Sequence, residues 1–233
     1  MGVNYSPKIA TDGLVLCLDA GNKKSYPGAG TTWYDISGKG DAILNGPTFS
    51  SDNGGSMIFD GTNDYGEIND NSDFLFGTGS FTEEAWHKAN VDATWKAPIF
   101  RGLEASWGGL WIDPSGNFHP YHYSETGSAQ TFDTGVAVGT DWIHHVTTTT
   151  NTGSAVTIKV YTNGALRATQ STTVSGWQPK NTSVGTNLQV GGAFGSSFLI
   201  DGRIVICRIY KGKALSAKEV KENFNAQRGR FGL

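Results

Sequence analysis

Short segments in which apolar and polar residues alternate follow one another along almost the whole chain. The alternation has a period of two, which is the period of side chains along a β-strand. Gly, Asn, Asp and Ser separate the segments, as is typical of turns between strands. Examples are residues 14–20 (LVLCLDA), 141–151 and 155–162. Directly after the last of these segments stand Asn163 and Gly164, a pair that favours a type I′ turn and therefore predicts a β-hairpin.

Only the last twenty or so residues have a helical pattern. Residues 215–229 (LSAKEVKENFNAQRG) predict one short helix. Ser216 and Glu219 have the spacing of a capping box, in which each side chain bonds the other residue's backbone N–H. Gly229 is predicted to end the helix, because glycine readily adopts the left-handed conformation found after helix ends.

About a dozen strands and a single helix predict an all-β fold with two packed sheets. Residues 14–20 are apolar on both faces, which predicts an inner strand. The chain shows no internal repeat, linker or break in composition, so residues 1–233 are interpreted as a single domain.

Composition narrows the classes of function. Glycine accounts for 32 of 233 residues, while 12% aromatic residues and a net charge of −3 disfavour disorder. The sequence has no apolar stretch of about 18 residues that could span a membrane. With a pI near 5.9 and no Lys/Arg run, nucleic acid is not expected as a partner. Because the first residues, MGVNYSPKIATDG, lack the pattern of a secretory signal, folding in a cytoplasm is expected.

The order of several strings resembles the laminin-G-like branch of the concanavalin A-like jelly rolls. The strings that carry this resemblance are LVLCLDA (14–20), MIFDGTNDYGEI (57–68), SFTEEAW (80–86), DWIHHVTTT (141–149), VTIKVYTNGAL (156–166) and residues 198–231, from the last strand into the helix. The resemblance implies a two-sheet jelly roll whose first and last strands are neighbours. Cys17 and Cys207 would then lie close together, and a cytoplasm would keep them reduced.

A narrower resemblance concerns the end of the chain. The string NAQRGRFGL (225–233) is similar to the ends of structural proteins of tailed bacteriophages. This resemblance implies a virion protein, such as a capsid decoration, tail or fibre protein, assembled in the host cytoplasm. Its expected partners are other virion proteins, further copies of itself and glycans of the host surface. Residues 1–12 and 228–233 are the predicted anchoring segments, because chain termini lie at the surface.

Glycoside hydrolases share the jelly-roll architecture, but their paired carboxylates are missing from this sequence. Glu83 and Glu84 are adjacent, so on a strand they face opposite sides and cannot act on one bond together. We interpret them as solvent-facing or edge charges, and His144 and His145 as structural. No Gly-x-Ser-x-Gly string marks a nucleophile, so no catalytic residue is assigned and the protein is expected not to be an enzyme.

The densest polar and aromatic cluster is the string FHPYHYSE (118–125). Such a patch is what a site for a sugar or a partner would use, although each loop tryptophan could instead cover one end of the core. A metal site through His119, His122 and Glu125 would require Pro120 to bend the strand. The predicted glycan or partner contacts are His119, Tyr121, His122, Tyr123, Trp95, Trp107 and Trp177.

Calcium is the cofactor that the family resemblance suggests. Oxygen-bearing side chains are dense in FDGTNDYGEINDNSD, and Ca²⁺ binds six to eight oxygens. The EF-hand spacing is absent, because Tyr65 stands where glycine is required. A tight turn at Asp60 is the alternative interpretation. The predicted calcium ligands are Asp60, Asn63, Asp64 and Asp70.

The sequence therefore predicts a non-enzymatic protein of a phage virion that acts by surface binding, including to glycans. A free-standing, lectin-like carbohydrate-binding module is the alternative. A glycan-cleaving enzyme is the third candidate, and two facing carboxylates in a deep groove would favour it.

Overall fold

The computed structural model describes residues 8–102, 108–125, 129–179 and 187–233. In these parts of the chain, sixteen strands form two antiparallel sheets of eight strands each. In chain order the strands are β1 (Leu14–Asp19), β2 (Thr32–Trp33), β3 (Ala42–Asn45), β4 (Thr48–Ser50), β5 (Ser56–Asp60), β6 (Tyr65–Ile68), β7 (Phe81–Ala89), β8 (Lys96–Arg101), β9 (Gly108–Ile112), β10 (Tyr121–His122), β11 (Gln130–Thr131), β12 (Ile143–Asn151), β13 (Ala155–Thr162), β14 (Ala165–Thr173), β15 (Leu188–Val190) and β16 (Asp201–Lys211).

The strands are divided between the two sheets in a non-sequential order. Sheet 1 has the order β14-β13-β12-β7-β16-β5-β4, and β1 also pairs with β16. Sheet 2 has the order β11-β10-β9-β8-β15-β6-β3-β2. Apolar side chains from both sheets form one core cluster between them, as the alternating pattern requires. The predicted all-β jelly-roll sandwich with one short C-terminal helix is confirmed.

Strand β1 is the first element that differs from its prediction. It pairs only with β16, which places it at an edge of sheet 1 and not inside the sheet. A loop covers its other edge: the Asp35 carboxylate accepts the Cys17 N–H at 2.7 Å, and the Ile36 N–H donates to the Cys17 carbonyl at 2.9 Å. This cover explains why an edge strand is apolar on both faces.

The predicted closeness of the first and last strands is confirmed. Cys17 is paired in register with Arg208, and Leu18 with Cys207. Both cysteines are buried and free. Burial is the main cause that raises the pKa of each thiol, so each behaves as a small apolar side chain.

The helix α1 (Ala217–Gln227) begins as the sequence predicts. Ser216 and Glu219 form the capping box, with the Ser216 N–H donating to the Glu219 carboxylate at 2.8 Å. The prediction that Gly229 ends the helical region was wrong. A 3-10 turn over Arg228–Phe231 continues it, and Gly232, at φ 72°, follows as its cap.

Contacts with sheet 1 hold that final turn in place. The Arg230 guanidinium bonds the Asp19 carboxylate at 2.9 Å and the Asn53 carbonyl at 3.1 Å. The Phe231 ring stacks on Trp86, with 4.3 Å between the ring centroids. Arg230 and Phe231 are therefore packed against the fold, and the anchoring role of residues 228–233 stays a prediction. Residues 1–7 of the other predicted anchor lie outside the described residues.

The outer face of sheet 1 is covered by helix α1. Val220 packs in a cluster with residues of three strands, and Phe224 stacks on Trp86 at 5.7 Å between centroids.

The predicted β13–β14 hairpin is present, with Asn163 at φ 51° and Gly164 at φ 73°. None of the helices in the described part of the chain is long and apolar enough to cross a membrane.

Candidate functional site

An aromatic pocket lies on the face of sheet 2 that points away from sheet 1. Leu110 and Ile112 of β9 belong to the core between the sheets, so Trp111, the residue between them, points to the other side. There it joins a separate apolar cluster with Phe100 of β8. The pocket has a volume of about 310 Å³ and is lined by Trp95, Trp111, Tyr121, Tyr123 and Phe198.

A glycine allows the strands beneath the pocket to approach each other closely. Gly109 of β9 has φ 146°, and a Cβ atom there would lie 2.2 Å from the Ile99 carbonyl oxygen of β8. Gly109 also lies opposite Tyr121 in the pairing of β9 with β10. The absence of a side chain at this position therefore helps to set where the Tyr121 ring stands above the sheet.

The rings of the pocket meet mostly edge to face, as aromatic pairs prefer. Trp111 lies 6.1 Å from Trp95 and 5.4 Å from Phe198, with interplanar angles of 84° and 76°. Trp111 is buried and forms the floor, while the other four side chains are partly exposed. Burial, together with the neighbouring Tyr123, raises the pKa of Tyr121 to about 12, so its phenol keeps its proton at neutral pH.

A more polar depression of about 480 Å³ adjoins this pocket and shares Trp95 and Phe198 with it. The Asp92 carboxylate on its lining accepts hydrogen bonds from the Thr94 hydroxyl at 2.6 Å and the Lys96 ammonium at 2.9 Å. These bonds lower the pKa of Asp92. The two depressions together offer aromatic faces beside charged hydrogen-bonding groups.

A cluster of metal-ligating side chains lies beside the pocket. Asp113, His119 and Asp133 each offer one ligand atom, and these atoms all lie within 4.8 Å of one another. The His119 ring contacts Trp95 edge to face at 5.0 Å between centroids. Burial is the main cause that lowers the pKa of His119, so its imidazole is neutral at pH 7, as a metal ligand must be.

The predicted calcium residues do not form this cluster. Asp60 and Asp64 serve the tight turn of the alternative interpretation: Asp60 accepts the Thr62 N–H at 2.8 Å, and Asp64 accepts the Asp60 N–H at 3.0 Å. Burial raises the pKa of Asp70, although the nearby charge of Arg101 opposes this rise, and Asn63 is exposed. Among the described residues, the His, Cys, Asp and Glu side chains that converge are a different set, and the calcium site at Asp60, Asn63, Asp64 and Asp70 stays a prediction.

The structure places some of the predicted glycan contacts at the aromatic pocket and buries others in the core. Trp95, Tyr121 and Tyr123 line the pocket, and His119 lies next to it. His122 is fully buried on the core side of β10, where it contacts Phe81.

Trp177 is also fully buried, in the core cluster, and therefore cannot contact a ligand at the surface. Trp107 lies outside the described residues. His122 faces the opposite side from His119, so the alternative metal set with Glu125 does not form either. Phe198 completes the pocket. It was not singled out from the sequence, because the apolar string that contains it was interpreted only as a strand.

The interpretation of Glu83 and Glu84 as solvent-facing charges was wrong, since both are fully buried. They do face opposite sides of β7, as predicted. Glu83 points into the core, where its Oε2 lies 3.5 Å from His122 Nε2, and burial raises its pKa to about 8. Glu84 points towards helix α1 and accepts a hydrogen bond from Arg208 at 2.5 Å.

Three histidines, which we call the core histidines, share the interior with Glu83: His87, His122 and His145. Burial lowers the pKa of His87 and of His122 to about 3 and lowers that of His145 well below its usual value. His144, by contrast, faces the helix side and bonds Glu84 at 3.1 Å. Both His144 and His145 are thus buried within the sheets, in agreement with the structural role expected for them.

The two packed antiparallel sheets define a concanavalin A-like β-sandwich. The family model described as the concanavalin A-like lectin/glucanases superfamily matches residues 60–221, and the chain belongs to this superfamily. The comparison with curated proteins gives no significant match.

Several solved structures share the fold. Trypanosoma rangeli sialidase in complex with the inhibitor DANA has 18% identity and a TM-score of 0.64, over 95% of this chain and 34% of the sialidase chain. The botulinum neurotoxin serotype D binding domain has 18% identity and a TM-score of 0.63, over 93% of this chain and 52% of that one. This chain thus spans about a third of the sialidase and half of the toxin domain.

A third similar structure is domain 4 of AbnA, a GH43 extracellular arabinanase from Geobacillus stearothermophilus, in complex with arabinotriose. It has 16% identity and a TM-score of 0.65, over 92% of this chain and 98% of that domain. At such identities the likeness shows a common fold alone.

Proposed function

We propose that this protein is a non-enzymatic glycan-binding protein and that the aromatic pocket on sheet 2 is its sugar site. The observation that carries the proposal is the convergence of partly exposed aromatic rings around a buried tryptophan floor. The C–H faces of sugar rings are apolar and pack against aromatic faces, while their hydroxyl groups need polar partners nearby.

The adjoining polar depression supplies such partners. Asp92 is a charged acceptor that the Thr94 hydroxyl and the Lys96 ammonium already orient. Charged acceptors form hydrogen bonds that are stronger than those of neutral groups. Because Trp95 and Phe198 border both depressions, a ligand of at least two sugar units can stack in one and be hydrogen-bonded in the other.

The positions of the carboxylates favour binding of a glycan without cleavage. Glycoside hydrolysis needs two carboxyl groups about 5–9 Å apart around the bond. Asp92 is the carboxylate among the described residues that line the two depressions, while Glu83 and Glu84 are buried on opposite faces of β7. The arabinotriose complex of the AbnA domain supports the choice of a glycan, because a domain of this fold there holds a sugar chain.

The proposed setting is the surface of a phage virion, on the resemblance of residues 225–233 to the ends of phage structural proteins. In that setting the protein would assemble with further copies of itself and with other virion proteins, and the pocket would contact host glycans. Mass spectrometry of purified particles should detect this chain. Its absence from the particles would reject the setting and favour the free-standing lectin.

A glycan array with the full chain tests the proposed function, followed by calorimetry with the best ligand. Trp95→Ala and Tyr123→Ala should each weaken binding about two- to tenfold, since each stacked ring contributes about 0.5–1.5 kcal/mol. Tyr34→Ala is the matched control, because Tyr34 is 45% exposed and lies outside the pocket. An array without any bound glycan, or equal losses in all three variants, would refute the proposal. Release of free sugar from the bound glycan would show an enzyme instead.

A further inference from the structure

We propose that Asp113, His119 and Asp133 bind a divalent transition-metal ion such as Zn²⁺, at the edge of the aromatic pocket. The metal site stands independently of the proposed glycan function. Its expected effect on sugar affinity rests on that function, because the ion would hold the His119 ring that contacts Trp95.

The distances between the ligand atoms fit a shared ion. His119 Nδ1 lies 3.9 Å from Asp113 Oδ2, and all three ligand atoms lie within 4.8 Å of one another. Zinc binds nitrogen and carboxylate oxygen at about 2.0–2.2 Å, so the atoms of one tetrahedral site are about 3–4 Å apart. A small closure of these side chains is enough to coordinate the ion.

The other polar atoms of the same side chains already have partners that orient them. Asp113 Oδ1 accepts the Ser115 N–H at 2.8 Å and the Asn117 N–H at 2.9 Å. His119 Nε2 lies 2.6 Å from the Thr131 hydroxyl oxygen. In the tautomer whose Nε2–H donates to the Thr131 hydroxyl, the lone pair on Nδ1 faces Asp113, which is the arrangement that metal-binding histidines use.

The His119 Nδ1 atom is the strongest sign that a ligand is involved. It is shielded from solvent, and no atom of the described residues forms a hydrogen bond with it. A buried ring nitrogen without a partner costs free energy, and its distance to Asp113 is too long for a hydrogen bond. A metal ion between these groups would satisfy the nitrogen and both carboxylates together.

The donor set selects the class of ion. Imidazole suits Zn²⁺ and similar transition metals, whereas Ca²⁺ requires six to eight oxygen ligands. Three protein ligands leave a position for water, and Asp133, which is exposed, gives the ion access from solvent. The competing account is that the two aspartates only stabilise turns and that His119 only bonds Thr131.

Calorimetric titration of the EDTA-treated full chain with Zn²⁺ alone distinguishes these accounts. We expect saturable binding of one ion per chain, at least tenfold tighter than Ca²⁺. Asp113→Asn keeps an oxygen that can accept the two backbone N–H groups but loses the charge, and it should weaken Zn²⁺ binding at least tenfold. Asp133→Asn should have a similar effect, and, because Asp133 is exposed, this variant should remain folded.

Thr131→Val removes the partner of His119 Nε2 without touching a ligand, and about a tenfold loss of Zn²⁺ affinity is expected. Asp141→Asn is the matched control, because the Asp141 side chain is 96% exposed and lies outside the cluster. Substitution with Co²⁺ should give visible absorption bands that the Asp113 variant lacks. The proposal is overturned by non-saturable Zn²⁺ binding, by a preference for Ca²⁺, or by equal affinity in the aspartate variants and the control.

The effect on sugar binding is measured separately, with and without Zn²⁺. An unchanged glycan affinity in the Zn²⁺-bound protein would refute the coupling to Trp95. A protein that binds Zn²⁺ but no glycan would refute the proposed function while the metal site stands.

Discussion

A buried ionic cluster joins helix α1 to sheet 1, and removing its only guanidinium should destabilise the protein strongly. The Glu84 carboxylate accepts hydrogen bonds from Arg208 at 2.5 Å, His144 at 3.1 Å and Asn223 at 2.6 Å. Burial alone would raise the pKa of Glu84, but the charge of Arg208 and these hydrogen bonds outweigh it and lower the pKa to about 2. The Arg208 charge therefore compensates a carboxylate that has no access to water.

Arg208→Met keeps an unbranched side chain but leaves the carboxylate unpaired. Breaking a buried ion pair in this way costs about 3–5 kcal/mol. In a chain of this length each kcal/mol lowers Tm by about 2–4 °C, so Tm should fall by about 10 °C.

Urea and thermal unfolding, followed by circular dichroism at pH 7, measure this loss. The double variant with Glu84→Gln should lose less than the sum of the single variants, because no charge is then left unpaired. Lys218→Ala is the control: it breaks an exposed pair of 3.8 Å with Glu222 and should cost under about 1 kcal/mol.

The pH dependence provides a second readout. Since the folded pKa of Glu84 is depressed, its stabilisation is present above pH 4.5 and is lost as the pH falls towards 2. Arg208→Met should reduce this acid-side loss. A loss below about 1 kcal/mol in this variant, or additive losses in the double variant, would refute the account of the cluster.

Two further predictions concern the core and a turn. The core histidines stay neutral when folded, so stability should fall below pH 6.5 by up to about 4 kcal/mol per pH unit, as the unfolded chain takes up protons. Glu83 keeps its proton to about pH 8 when folded, so its contribution to stability falls as the pH rises from 4.5 to 8 and opposes that of the histidines below pH 6.5. Urea titrations should show a maximum near pH 7, and E83Q should flatten the alkaline side and steepen the acid side. Gly164→Ala should cost about 1–3 kcal/mol in urea unfolding, because its φ is 73° and the new Cβ would lie 3.0 Å from Phe224 Cβ. Gly153→Ala, at φ 82° with no atom within 4 Å, should lose only the smaller backbone contribution, and equal losses in the two variants would contradict the contact with the helix.

The sequence predicts those features that depend on neighbouring residues. Period-two alternation located most strands, Asn163 and Gly164 marked the hairpin, and Ser216 marked the start of the helix. The same alternation contained a signal that was missed. On one strand His122 must face the side opposite to Tyr121, so its burial could have been predicted from the sequence.

Features that depend on distant residues could not be predicted in this way. Glu84 is separated from Arg208 by 124 positions, and without that partner a buried carboxylate would be too costly to expect. Trp177 stands in a loop in the sequence, and only the packed sheets show that it belongs to the core. Asp113 and Asp133 approach each other because the chain between them reverses direction twice, to form the antiparallel strands β10 and β11.

The position of the candidate site follows from the asymmetry between the two sheets. The outer face of sheet 1 is occupied, because helix α1 and the turn after it cover Trp86 and the Glu84 cluster. The corresponding face of sheet 2 carries the aromatic pocket, whose rings are partly exposed. An aromatic residue on sheet 1 therefore stabilises the helix, whereas Trp95 and Tyr123 on sheet 2 are partly exposed. The same residue types thus pack beneath a helix on one sheet and form the proposed sugar site on the other, and it is the covering helix that separates the two arrangements.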